Sequence, residues 1–98
     1  MGINAYAQNI EKSIEVIVSN DWKNDKADEP VVINLNKLDL GFTAKSAIVW
    51  DGDKEIPSQL DDMNGDARAD ELAFLVDIPG KTSKNLRIVF SNAKSNKQ

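Results

Sequence analysis

A chain of 98 residues, 41% hydrophobic and 29% charged, has the size and composition of one globular domain rather than of a disordered segment. It holds no Cys and no His, which excludes disulfides, zinc sites built on thiolate or imidazole, and nucleophile–His catalysis. The net charge of −4 divides into −2 over residues 1–50, −7 over residues 51–80 and +5 over residues 81–98, with no basic face rich in aromatics of the kind that reads nucleic acid.

The opening MGINAYAQN has Gly2 but carries Tyr6 where a myristoylation signal takes Ser or Thr. Ala5-Tyr6-Ala7 followed by Gln8 resembles the small-x-small end of a secretory signal, without that signal's charged and apolar regions. Residues 1–12 are expected to be a flexible lead-in to a domain over residues 13–91. No apolar run reaches the length of a membrane-spanning helix, so membrane insertion is not expected.

From there the pattern is alternation. Ile14, Val16 and Val18 share one face of SIEVIV, and Val31, Ile33 and Leu35 share one face of PVVINL. Between these runs SNDWKNDKADE, residues 19–29, reads as a polar loop. NKLDLGF, residues 36–42, reads as one helical turn stopped by Gly41. AIVW then sets Ala47 and Val49 opposite Ile48 and Trp50, and Asp51-Gly52-Asp53-Lys54 closes a tight hairpin onto EIPSQL. Pro57 cannot donate to a ladder, so that fourth strand belongs at an edge or on a bulge. ELAFLVDI places Leu72, Phe74, Val76 and Ile78 in strict period two, Pro79-Gly80 ends it, and NLRIVFS gives Leu86, Ile88 and Phe90. The last strand reads as a solvated basic edge, followed by a flexible tail over residues 92–98. Period two in short β-branched and aromatic runs predicts an all-β fold, a small antiparallel β-sandwich of about six to seven strands.

The loop between the fourth and fifth strands is the densest chemistry. From Asp62 it runs Asp62-Met63-Asn64-Gly65-Asp66-Ala67-Arg68-Ala69-Asp70, with oxygen-bearing side chains at the first, third, fifth and ninth places. Calcium takes six to eight oxygens at about 2.3–2.6 Å, and such alternate side chains, with the Arg68 main-chain carbonyl, can converge on one ion. An EF-hand would put Gly at the sixth place and Glu at the twelfth; Ala67 and Ala73 stand there, so this is another kind of loop. Its spacing resembles the calcium loops set between strands in integrin-type and other extracellular β-domains. The competing reading is a solvated turn, since Asp, Asn and Gly are also ordinary turn residues.

Two tryptophans remain. Trp22 lies in the polar loop and is the candidate ligand-binding residue, because an indole face stacks on a sugar ring. Trp50 continues a strand and reads as core. The carboxylate pairs Asp51 with Asp53, and Asp61 with Asp62, each lie on one turn and do not span a cleft, so no catalytic residue and no enzyme activity are expected.

DEPVVINL, followed by IVWDGDKEIPSQLDDMNGDARADELAFLVDIPGKTSKNLRIVFS, resembles the opening β-sandwich segment of a family of uncharacterised bacterial proteins, domain of unknown function 4861. The resemblance covers residues 28–91 and is most specific from IPSQLDD through NGDARADELAFLVD. It implies an exported module, periplasmic or extracellular, associated with polysaccharide utilisation. Members of the family are several times longer, so this chain corresponds to an N-terminal piece or a stand-alone version. The expected function is a non-catalytic accessory to carbohydrate processing with a structural calcium loop, its partner a polysaccharide or a neighbouring domain or protein. The alternative is a protein-interaction or structural domain with a metal-free loop, marked by an outward apolar patch of Ile17, Val32, Leu75 and Val89.

Overall fold

The computed structural model describes residues 10–61 and 70–93. Its strands are β1 (Glu11–Asn20), β2 (Lys26–Asn34), β3 (Ser46–Asp51), β4 (Lys54–Ile56), β5 (Ser58–Asp61), β6 (Glu71–Ile78) and β7 (Thr82–Ser91). All pairings are antiparallel. A four-stranded sheet of order β1-β7-β3-β4 faces a three-stranded sheet of order β2-β6-β5. The chain is a small β-sandwich.

The alternation in the sequence sets the two inner faces. Leu72, Phe74, Val76 and Ile78 of β6 are buried against Leu86, Ile88 and Phe90 of β7, with Val49 of β3 and Ile56 of β4. Leu35, Leu40 and Ala44 close one end of this core from the connection between β2 and β3. That connection opens with a short 3-10 turn, Leu35–Lys37, capped by the Asn34 side chain, which accepts from Asn36 N. The expected turn is thus present but earlier, and it ends at Leu38; Gly41, at φ 79°, shapes the following loop instead.

Pro57 has a larger effect than an edge or a bulge. It divides EIPSQL into β4 and β5, which belong to opposite sheets. Lacking an N–H, proline interrupts the ladder where the chain leaves one sheet for the other, and both short strands lie at edges. Ile56 and Leu60 still reach the interior, one from each layer. The Gly52-Asp53 turn joins β3 to β4, with Gly52 at φ 64° as a tight hairpin requires.

The last strand departs from expectation. β7 lies between β1 and β3 and is a central strand, not a basic edge. Its core residues outweigh its charges: Leu86, Ile88 and Phe90 are at most 1% exposed, while Arg87 projects outward. Lys84 is accommodated by an ion pair with Asp51, Nζ to Oδ2 2.8 Å, at the end of the same sheet.

Candidate functional site

The polar loop after β1 is shorter than the sequence suggested, because β1 continues through Asn20 and β2 already begins at Lys26. Five residues, 21–25, are left to turn the chain from one sheet to the other. Asn20 organises them. It is 1% exposed, and its Oδ1 accepts from Trp22 N at 3.0 Å, the local side-chain turn that Asn favours. Its Nδ2 donates to Asn24 O at 2.8 Å, to Ile78 O at 3.0 Å and more weakly to Pro79 O at 3.3 Å. One buried amide therefore ties the loop to the end of β6.

The β6–β7 connection completes the clamp. Gly80 N donates to Asp25 Oδ1 at 2.8 Å, and Lys81 N donates to Trp22 O at 2.8 Å. Lys81 takes φ 55°, a left-handed conformation that lysine adopts only when its surroundings enforce it. The Trp22 backbone is thus held on both sides, through its N–H and its carbonyl. Its side chain is 66% exposed. Lys26 Nζ lies 5.8 Å from the centre of the indole, a cation–π contact that also shares Lys26 with Glu29 at 3.9 Å. A rigid backbone presents a large aromatic surface to solvent.

Trp50 is placed differently from its expected core position. Val49 is the buried member of that pair, and Trp50 lies half-buried on the outer face of the four-stranded sheet, opposite Glu55 on one side and Arg87 on the other. Alternation within a six-residue strand fixes this: Val49 faces the core, so its neighbour cannot. The outward apolar residues do not form one patch either. Ile17 and Val89 lie on the outer face of the four-stranded sheet, Val32 and Leu75 on that of the three-stranded sheet. Val32 and Leu75, 58% and 53% exposed, line an open groove with Pro30, Ala73 and Gln59.

Of the acidic loop, Asp62, Asn64, Asp66 and Arg68 lie outside the described residues; its two anchors are described. Asp70 N donates to Asp61 O at 2.7 Å, which closes the base of the loop, and Asp70 O accepts from Leu35 N at 2.9 Å. The Asp70 side chain is buried, its Oδ1 accepting from Asn36 Nδ2 at 3.3 Å, while Asp61 Oδ1 accepts from Gln59 Nε2 at 2.6 Å. The ninth position of the proposed calcium loop is therefore fixed to the 3-10 turn. Asn20, Asp25 and Lys81 were not singled out in the sequence, and Gly80 only as the end of a strand. The Asn two places before Trp22 was the available signal, but their meeting depends on contacts 55 or more residues apart.

The family described as Domain of unknown function (DUF4861) matches residues 18–98, and the chain belongs to it. Neither a curated protein nor a solved structure matches the chain.

Proposed function

We propose that this β-sandwich is a non-catalytic module of an exported protein, accessory to carbohydrate processing, which holds glycan through Trp22. The observation that carries the reading is the Trp22 loop: a solvent-exposed indole on a backbone fixed by Asn20 and Lys81. A preorganised aromatic loses little conformational freedom when a ring stacks on it, which is where binding energy is otherwise spent. Lys26 beside the indole, with the Asn24 and Asp25 side chains on the same loop, adds polar groups able to meet sugar hydroxyls.

The non-catalytic reading is supported by the described residues, among which no pair of carboxylates is set across a cleft. Asp51 and Asp53 share one hairpin, and Asp51 is engaged by Lys84. Within the same proposal, Asp62, Asn64, Asp66, the Arg68 carbonyl and Asp70 hold a structural calcium between β5 and β6. The closed base at Asp61 and Asp70 supports this, because a pinned loop needs less ordering to bind an ion. Export is tested by locating the native protein in fractionated cells.

A second reading, a protein-interaction domain, is favoured by the Val32–Leu75 groove on the three-stranded sheet. Affinity electrophoresis against soluble neutral and acidic polysaccharides separates the two. Retardation that Trp22→Ala removes and Leu75→Asp leaves intact supports the glycan module; no retardation in any gel puts the interaction domain ahead.

A further inference from the structure

Four strands form the edges of the two sheets: β1 and β4 in one, β2 and β5 in the other. Three are blunted against further pairing. β2 carries Pro30 and a register break between Lys26 and Glu29, with Asp28 at φ 54°. β4 has three residues and β5 has four, and both abut Pro57. Short strands, prolines and bulges are the devices that keep sheet edges from pairing with other chains. β1 uses none of these three and is guarded only by the charges of Glu11, Lys12 and Glu15. It runs ten residues in unbroken register with β7 and contains no Pro.

The phase of its backbone is fixed. Ile10 O accepts from Asn92 N at 3.0 Å, and Ile10 N donates to Asn92 Oδ1 at 2.8 Å. Even-numbered residues of β1 therefore turn their backbone groups toward β7, because these groups alternate along a strand. The N–H and C=O groups of Glu11, Ser13, Glu15, Ile17 and Ser19 point to the open edge, where no described strand pairs with them. Beside this edge Ile14, Val16 and Val18 are only half-buried, and Ile17 on the outer face is 69% exposed.

We propose that β1 pairs antiparallel with β1 of a second copy of this chain, joining the two four-stranded sheets across a two-fold axis. Cover of the half-buried side chains selects the register, and charge disfavours the neighbouring one. An axis at Glu15 would set the two Glu15 side chains against each other, which destabilises a cross-strand pair. An axis at Val16 sets Val16 against its counterpart, Ile14 against Val18 and Ile17 against Glu15. Lys12 then faces Asn20 and Ser13 faces Ser19, and the one like-charge juxtaposition, Glu11 with Asp21, falls at the two ends of the paired segment. The half-buried valines and Ile14 gain cover from the same residues of the other copy. An isologous contact of this kind closes on itself and stops at the dimer.

Light scattering during size exclusion, over a concentration series of the full chain, reads the association. A concentration-dependent dimer is expected. Ile17→Glu opposes Glu15 at both symmetric positions and should weaken it roughly tenfold, whereas Ile17→Lys should strengthen it. Ser13→Pro removes an outward N–H without touching the β7 ladder and should abolish pairing, with circular dichroism confirming the fold. In the parent, amide exchange at Ser13, Glu15, Ile17 and Ser19 should slow as concentration rises. A chain that stays monomeric into the millimolar range overturns the proposal. So does a dimer indifferent to Ile17→Glu and Ser13→Pro, or one whose odd-numbered β1 amides exchange freely.

Discussion

Gly80 packs directly on the backbone of Lys23: a Cβ at position 80 would press on the Lys23 carbonyl oxygen and lie 2.6 Å from its carbonyl carbon. The glycine is required by space, since its φ is not in the left-handed range. This contact brings the β1–β2 loop against the β6–β7 connection and lets Lys81 reach Trp22 O. Gly80→Ala must push the two loops apart, at about 1–3 kcal/mol as for other overpacked sites. The melting midpoint should fall, and the Trp22 contribution to fluorescence should lose its anisotropy before unfolding begins.

Removing Asn20 tests the same clamp from inside. Asn20→Ala leaves Trp22 N, Ile78 O and Asn24 O without this partner. Orphaned polar groups cost about 1–3 kcal/mol each where water cannot reach them, and about 2–4 kcal/mol in total is expected here. Asn20→Asp keeps the acceptor for Trp22 N but turns a buried carboxylate oxygen onto the Asn24, Ile78 and Pro79 carbonyls, and should destabilise at least as much as Ala. Denaturant unfolding of the three proteins checks the order.

Phe74 faces the core from the middle of β6 and is 5% exposed. Its truncation to Ala should destabilise by about 3–5 kcal/mol, a large part of what a domain of this size possesses. Leu75→Ala, one residue along and on the outer face, should change little. Paired unfolding curves that fail to separate these two would contradict the assignment of faces.

Much of this fold was legible because period two states which side of a strand is apolar. β6 shows it best: Leu72, Phe74, Val76 and Ile78 are all buried. Alternation within one strand, however, does not say which sheet the strand joins. EIPSQL read as one strand, yet Pro57 sends its halves to opposite layers. NLRIVFS read as an edge from its charge, yet three buried apolar side chains place it between β1 and β3. Trp50 was misplaced because size and aromaticity suggested core, while the strand's own phase already belonged to Val49. Trp22 was legible as a candidate, but the clamp around it joins residues distant in sequence.

The acidic loop is tested by calcium. An ion that binds only the native state at a hundredfold excess over Kd stabilises by about 2.7 kcal/mol. For a domain of this length that raises the melting midpoint by roughly 10–20 °C relative to chelated protein. Extracellular modules bind in the range of about 10⁻⁴–10⁻³ M, so a hundredfold excess requires the titration to extend to about 10–100 mM. Asp66→Ala should abolish the shift, Asp53→Ala should keep it, and magnesium should do far less. An unchanged midpoint would leave the loop as a solvated turn.

The most direct measurement follows tryptophan fluorescence while a soluble polysaccharide that retards the parent in gels is titrated into parent, Trp22→Ala and Trp50→Ala. Trp22, 66% exposed, dominates the solvent-exposed emission, and a stacking ring should shift it to the blue in a saturable way. The expected result is a shift in the parent, its retention in Trp50→Ala, and at least about tenfold weaker binding in Trp22→Ala, the scale of one lost aromatic contact. Binding of equal strength in Trp22→Ala, with the shift surviving, would contradict a glycan site at Trp22.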